Sequence, residues 1–160
     1  MGAMTCAGGR AAVVGALIAL AAPLGCFAAV TACTTSASGV VFGTYTPLTP
    51  TALLANGTIA ISCTGLTANN GITIDLSTGT SGNYASRTLV SGASTLDYNL
   101  YLDAAYTQVW GNGSGGSLEG SVAVTNGHPN PTLTVYGAVA AAQDPLPGTY
   151  SDSITVSVNY

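Results

Sequence analysis

Apolar and polar residues alternate in several short stretches of this chain, and the clearest stretch is 151–160. Every second position there is apolar from residue 154 onward, and the apolar residues are Ile154, Val156, Val158 and Tyr160. A period of two predicts a β-strand with one apolar face and one hydroxyl-rich face. The chain ends on this strand, so we expect the strand to pair with an earlier part of the chain or with another molecule.

The same alternation, interrupted by Gly, Pro and Asn-Gly turns, predicts further strands. They cover residues 40–45, 58–63, 72–76, 87–90, 96–103, 118–125 and 133–139. Asn56-Gly57 is one of the predicted turns, and the alanine-rich run at 138–142 could form a helical turn. No helix long enough for a βαβ unit is predicted. Short strands joined by turns are typical of an all-β sandwich.

Residues 1–32 are predicted to be a secretory signal peptide. Arg10 supplies the positive charge, residues 11–22 form an apolar run, and Ala28 and Ala32 are candidate cleavage positions. Export would place the mature domain, residues 33–160, in an oxidising compartment.

Other interpretations of the N-terminal region stay open. The uncharged stretch 11–30 is only just long enough to act as a transmembrane anchor. Residues 30–33 resemble a weak lipidation motif, in which Cys33 would carry the lipid. Cleavage at Ala22 would instead leave residues 23–32 as an N-terminal arm of the mature chain.

Charged side chains are rare, and this excludes some classes of function. They make up 5% of the 160 residues, whereas the hydrophobic set makes up 48%. A chain this hydrophobic can fold around a core, so disorder is not expected. Once the leader is removed, Arg87 is the single cation, and binding to nucleic acid needs several. We therefore expect one folded domain with no nucleic-acid partner.

The cysteines predict one disulfide. Two of the four, Cys6 and Cys26, lie in the predicted leader, which leaves Cys33 and Cys63. An even pair in an exported protein predicts a bond between them. Neither belongs to a CxxC motif, and no cluster of His and Cys indicates a metal site.

No pattern of residues indicates an enzyme. His128 is the only histidine and lies in a predicted turn, where a solvated loop residue is the simplest interpretation. Asp97 and Asp103 are six residues apart on one predicted strand, about 20 Å, which is too far for an acid–base pair. The Gly-rich loop at 111–116 lacks the Lys-Ser/Thr of a phosphate-binding loop. We therefore predict no catalytic residue, no metal and no cofactor.

A group of aromatic residues could line a sugar-binding surface. The group consists of Tyr84, Tyr98, Tyr101, Tyr106 and Trp110. We favour a different interpretation for most of them, as core and edge residues of a sandwich.

Several segments occur here in an order that is specific when they are taken together. The segments are Val41–Tyr45, Ile59–Cys63, Leu96–Tyr106, Val109–Gly113, Val135–Gly137 and Pro147–Tyr160. They cover nearly all of residues 33–160, and they resemble the spore coat protein U family, the subunits of Csu-type (archaic) chaperone–usher pili.

The resemblance implies an immunoglobulin-like β-sandwich that lacks its final strand. A periplasmic chaperone would fill the gap first, and the N-terminal arm of a neighbouring pilus subunit would replace it at an outer-membrane usher, by strand addition. Cys33 and Cys63 would be the family disulfide. The groove for the donor strand would be lined by Ile154, Val156, Val158 and Tyr160.

The implied function is therefore a structural subunit of a surface pilus or spore coat that serves adhesion and biofilm formation. Such a subunit is exported through the periplasm to the cell surface. The alternative is a free-standing adhesin or carbohydrate-binding module.

The sequence departs from the family pattern before the first cysteine of the predicted domain. Shaft subunits of the family carry an alternating donor arm there, whereas cleavage at Ala28 or Ala32 would leave four residues or none. A subunit without an arm accepts a donor strand but cannot supply one, so cleavage at these positions implies a place at the tip of a fibre.

Overall fold

Eight β-strands and one short 3₁₀ helix make up the regular structure of the computed structural model, which describes residues 32–66, 71–123 and 130–160. The strands are β1 (Ala32–Ser38), β2 (Leu53–Thr64), β3 (Gly71–Leu76), β4 (Arg87–Ser91), β5 (Ser94–Tyr101), β6 (Gly120–Ala123), β7 (Thr132–Val139) and β8 (Val156–Asn159). The 3₁₀ helix covers Gly79–Ser81. No helix in the described part of the chain is long and apolar enough to cross a membrane.

The strands form two antiparallel sheets that enclose one core. The larger sheet has the order β1-β2-β7-β5-β4, and the smaller has the order β6-β3-β8. Alternate residues of β2, β5 and β7 point inward, and they meet the inward residues of β3. This arrangement confirms the prediction of an all-β sandwich.

Trp110 lies at the centre of the core with none of its surface exposed. Its indole N–H donates to the Ile74 carbonyl at 2.8 Å, so the one polar atom of the ring is satisfied within the smaller sheet. Its backbone N–H donates to the Leu100 carbonyl of the larger sheet at 2.8 Å. Trp110 therefore connects the two sheets.

Cys33 and Cys63 are joined by a disulfide, as predicted. They lie directly opposite each other in the antiparallel pair of β1 and β2. The bond therefore fixes the edge strand β1 to the rest of the larger sheet.

Two predictions near the start of the domain are wrong. Asn56-Gly57 is not a turn, because both residues lie inside β2. Gly57 is needed there for close packing, since a Cβ would lie 2.8 Å from the Ser38 carbonyl oxygen. Residues 40–45 are not a strand either, because they pair with no neighbour in the described sheets. Their side chains still alternate, with Val40 and Phe42 packed on the core and Val41 81% exposed.

The C-terminal half of the chain also differs from the prediction. The possible helical turn at 138–142 is absent, since β7 continues to Val139 and an irregular loop follows. The single strand predicted at 151–160 is interrupted. Ser151 forms a bridge to Val90 in the larger sheet, and only β8 pairs in the smaller sheet. The chain crosses between the sheets in this stretch, so one continuous ladder cannot form.

Several sequence predictions concern parts of the chain outside the described residues. These are the leader up to residue 31 with its cleavage sites, its two cysteines and the alternative arm, and the loop that contains His128. The predicted division into a leader and a domain at residue 33 stays a prediction.

Candidate functional site

A groove runs between the two sheets near the start of β8, at the edge that no described strand covers. Its first part is a cavity of about 220 Å³, whose walls include Val40, Phe42, Ile154 and Val156. A second cavity of about 720 Å³ continues it between segments 40–47 and 145–152. The two cavities share the lining residues Val40, Phe42, Leu89 and Asp152. Together they form one elongated opening, which we call the groove.

One wall of the groove is the segment that leads into β8 and the first part of β8 itself. Ile154 and Val156 are half-buried and line the groove, as the alternation predicts. Val158 is half-buried against the core but does not line either cavity. Tyr160 is 52% exposed and also lies outside the two cavities. Of the residues predicted for the donor-strand groove, the structure brings Ile154 and Val156 to it.

The backbone of β8 is paired along one edge. β8 runs antiparallel to β3, with Val156 opposite Leu76 and Val158 opposite Ile74. The Thr155 carbonyl accepts a bond from the Ser77 N–H at 3.0 Å, which marks the residues that face β3. In an antiparallel ladder the backbone groups of alternate residues point to opposite edges. The N–H and C=O groups of Val156 and Val158 are therefore directed to the edge that no described strand covers.

The opposite wall is the extended segment 39–46. Phe42 packs edge-to-face on Tyr98, with ring centroids 5.8 Å apart. Gly137 of β7 makes room for this wall, because a Cβ there would lie 2.7 Å from Val40 and 2.8 Å from Phe42. The segment therefore alternates as a strand does and packs on the core. Its backbone is not paired with any of the described strands.

Asp152 places a carboxylate in this largely apolar groove. It accepts bonds from the Thr80 N–H at 2.9 Å, the Thr80 hydroxyl at 2.8 Å and the Tyr98 hydroxyl at 2.8 Å. Burial raises the pKa of Asp152, but the hydrogen bonds from Thr80, Tyr98 and Ser153 outweigh that effect and the net pKa is lowered. Burial and the bond to Asp152 raise the pKa of Tyr98, so its hydroxyl stays a donor. Asp152 thereby holds the crossing segment to β5 of the larger sheet and to the 3₁₀ helix.

Arg87 lies beneath the site as a fully buried cation. Its guanidinium donates to the Ser77 carbonyl at 3.0 and 2.8 Å, to the Trp110 carbonyl at 2.7 Å and to Asn99 Oδ1 at 2.6 Å. The ring of Tyr84 covers it, 5.3 Å from the guanidinium carbon. Burial lowers the pKa of Arg87, and the nearby Tyr98, Tyr84 and Asp152 raise it in part. Sequence reasoning counted this arginine only as the single cation of the predicted domain, and only its rarity could have drawn attention to a structural role.

The family of the chain follows from a comparison of its sequence with known proteins. The model of the Spore Coat Protein U domain matches residues 21–157. The chain belongs to the Spore Coat Protein U domain family. The match covers the groove residues Ile154 and Val156, and it begins inside the predicted leader.

Two individual proteins are similar to this chain. Protein U of Myxococcus xanthus is 30% identical over an alignment of 129 residues, which covers 74% of this chain and 70% of that protein. A solved structure of similar fold is the CsuC–CsuE chaperone–tip adhesion subunit pre-assembly complex, from archaic chaperone–usher Csu pili of Acinetobacter baumannii. The match has a TM-score of 0.55 and 22% identity, and it covers 82% of this chain. The chain spans about 40% of the length of the chain that it matches there.

The aromatic residues proposed for a sugar-binding surface separate into two groups. Tyr98 and Trp110 are buried in the core, and Tyr84 covers Arg87. Tyr101 and Tyr106 lie together on the outer face of the larger sheet, where they meet Tyr136. Sequence reasoning missed Tyr136, although its alternation with Val135 placed it on the outer face of β7.

The acidic residues form no catalytic arrangement in the described part of the chain. Asp103 does not lie on the same strand as Asp97, because β5 ends at Tyr101. It instead accepts bonds from the Thr107 hydroxyl at 2.8 Å and the Gln108 N–H at 2.8 Å, within its own loop. No group of three His, Cys, Asp or Glu side chains that could hold a metal ion occurs in residues 32–66, 71–123 and 130–160.

Proposed function

We propose that this chain is a structural subunit of a surface pilus or spore coat, and that it assembles by accepting a strand from a neighbouring subunit. The single observation that carries the proposal is the groove, a largely apolar opening that reaches the uncovered edge at the start of β8. The partners would be a periplasmic chaperone, an outer-membrane usher and neighbouring subunits, and the product would lie on the cell surface.

Backbone pairing and side-chain burial both favour a strand as the occupant of the groove. The free backbone groups of Val156 and Val158 can pair with an added strand, as in other cases of strand addition. Alternate side chains of that strand would enter the groove between Phe42 and Ile154, which are only half-buried now. Each apolar side chain that becomes fully buried contributes about 1.5–3 kcal/mol.

Membership of the Spore Coat Protein U domain family supports this assignment. The similar structure from Acinetobacter baumannii is described as a complex of a chaperone with a tip adhesion subunit, and it belongs to a chaperone–usher pilus. We transfer from it the expectation of a chaperone and of neighbouring subunits. Adhesion and biofilm formation are the roles that we expect of the assembled fibre.

The groove also favours an assembling subunit over the alternative function, a free-standing adhesin. A free-standing domain gains nothing from an uncovered strand edge, which invites association with other chains. We therefore expect the isolated domain to be poorly stable, since it exposes apolar surface and unpaired backbone groups.

A pair of variants at adjacent positions tests the proposal. Val156→Asp places a carboxylate in the groove, whereas Thr155→Asp places the same group on the exposed side of the adjacent position. In the native host, we expect Val156→Asp to disappear from surface-assembled material and Thr155→Asp to remain. Surface extracts separated by electrophoresis without boiling report the assembled subunits.

Two outcomes would contradict the proposal. One is normal surface assembly of the Val156→Asp variant. The other is a purified wild-type chain that stays monomeric and unfolds cooperatively at micromolar concentration without any partner or donor peptide.

A further inference from the structure

A second cavity lies on the outer face of the larger sheet. Its volume is about 330 Å³, and its lining includes Leu54, Asp97, Tyr101, Tyr106 and Ala138. Leu54 and Ala138 are opposite each other in the ladder between β2 and β7. Their neighbours Leu53 and Val139 pack on the core, so Leu54 and Ala138 point away from it. The cavity therefore opens on a different face of the domain from the groove.

Three tyrosines pack together at this outer cavity, and two of them, Tyr101 and Tyr106, line it. Tyr101 and Tyr136 are directly opposite each other on β5 and β7. Tyr106 packs edge-to-face on both, with ring centroids 5.6 Å from Tyr101 and 6.2 Å from Tyr136. All three are half-buried, so part of each ring reaches solvent. We call them the tyrosine cluster.

The position of Tyr106 is fixed by a left-handed backbone conformation. Its φ is 56°, which costs a non-glycine residue about 1–2 kcal/mol. Asp103 holds the loop in this shape, since its carbonyl accepts the Tyr106 N–H at 3.1 Å and its carboxylate binds Thr107 and Gln108. The loop thus holds an aromatic ring beside the cavity before any ligand is present.

The charge of the surface restricts the ligand. Arg87 is the single cation of the described residues, and none of its surface is exposed. A phosphate, sulfate or carboxylate ligand would therefore find no opposite charge, and it would meet the exposed carboxylate of Asp97 at the cavity. A cationic ligand would gain little, because an ion pair with the single exposed carboxylate of Asp97 contributes only about 0–1 kcal/mol. A neutral ligand fits this lining best.

We propose that the outer cavity binds a neutral saccharide. The C–H face of a sugar ring would lie on the tyrosine cluster, because the negative face of an aromatic ring attracts polarised C–H groups. Hydroxyl groups of the sugar would donate to the Asp97 carboxylate and exchange bonds with Ser86 and the tyrosine hydroxyls. The cavity lies at the lower end of the volume range of ligand sites, which suits one or two sugar residues of a chain. The proposal does not depend on strand addition, since it concerns another face.

Binding to an array of neutral, acidic and amino-group-bearing glycans tests this proposal. The probe is the full chain in the state in which its host exports it. Tyr106→Asn removes the ring and keeps a residue type that tolerates positive φ. Tyr101→Ala removes a second ring, and Leu118→Ala is the control, because Leu118 is 46% exposed and lines a different cavity. Retention of Trp110 emission shows that each variant is folded.

We expect binding to neutral glycans that a soluble oligosaccharide of the same type displaces. Both tyrosine variants should weaken it roughly tenfold or more, as the loss of a central aromatic contact does, and the leucine variant should leave it unchanged. The proposal fails if no neutral glycan binds, or if binding is confined to amino-group-bearing glycans. It also fails if folded Tyr106→Asn binds as wild type does, or if the tyrosine variants change only the association of the chain with itself. None of these outcomes alters the test of Val156.

Discussion

The buried Arg87 gives the sharpest prediction for stability. Replacing it with leucine removes the donors to the buried Trp110 carbonyl and to the carbonyl of the half-buried Ser77. Asn99 Oδ1 keeps a bond from the Leu100 N–H at 3.0 Å, so it is not left without a partner. Each of the two carbonyls costs about 1–3 kcal/mol when it is buried without a bond. We therefore expect Arg87→Leu to lower the free energy of unfolding by about 2–6 kcal/mol.

Urea denaturation of the exported chain, with its disulfide intact and its groove filled by a donor-strand peptide, measures this loss. Trp110 is the single tryptophan and is fully buried, so its emission reports unfolding directly. A loss of this size shifts the urea midpoint by roughly 1 M or more at a typical slope of 1–3 kcal/mol per M. Since domains of this size have only about 5–15 kcal/mol of stability, the variant would be close to unfolding.

Two further variants separate the hydrogen bonds from other effects of the substitution. Arg87→Lys keeps the positive charge but lacks the planar guanidinium, so it can bond only some of the carbonyls. We therefore expect a smaller loss of unfolding free energy than for leucine. Thr88→Ala, on the next position of β4, controls for a change of side-chain volume on that strand. A loss below about 1 kcal/mol for Arg87→Leu would refute the argument, because the two carbonyls would then have found other partners.

Two more predictions concern Asp152 and the disulfide. The pKa of Asp152 is lowered in the folded chain, so its charged form stabilises the fold. This contribution to stability is fully present above the ordinary aspartate pKa of about 3.9, and it is lost as the pH falls through the lower pKa of the folded chain. In a plot of urea midpoint against pH, Asp152→Asn should therefore lose less stability at acid pH than wild type does. Replacing Cys33 and Cys63 with alanine should lower the free energy of unfolding by roughly 3–4 kcal/mol, and mass spectrometry of the exported chain should find these two cysteines bonded to each other.

Each of these predictions has a control and a contrary result. Asp144→Asn changes an exposed loop carboxylate, and it should leave the difference between wild type and Asp152→Asn unchanged. An Asp152→Asn curve that follows wild type below pH 4 would show that the hydrogen bonds of this carboxylate do not stabilise the fold. For the disulfide, free thiols at both positions in freshly exported protein would contradict the bond. A chain without it that unfolds at the same urea concentration would contradict its contribution.

The pattern of the sequence determined the fold class and part of the groove. Alternation in 72–76, 96–103 and 133–139 predicted three strands that the structure contains, although β5 ends at Tyr101. The prediction holds because a half-buried sheet requires a side-chain period of two. It also predicted that Ile154 and Val156 share a face, and both line the groove. The disulfide followed from the cysteine count and from the compartment that the leader indicates.

Pairing was decided by the tertiary structure. Residues 40–45 alternate as a strand does, but no described strand lies beside them, since pairing depends on distant parts of the chain. For the same reason the stretch 151–160 divides between the two sheets, and the pattern could not show that the chain crosses at Asp152. A period of two specifies which face of a strand is apolar, and it does not specify which neighbour the strand receives.

The polar contacts in the interior could not be predicted from the sequence either. Nothing local to Arg87 indicates that the carbonyls of Ser77 and Trp110 surround it, because these residues lie 10 and 23 positions away. The tyrosine cluster likewise requires β5 and β7 to be neighbours, and it requires the loop after β5 to place Tyr106 above them. Alternation fixes the direction of each side chain, whereas contacts between separate strands exist only once the sheets have formed.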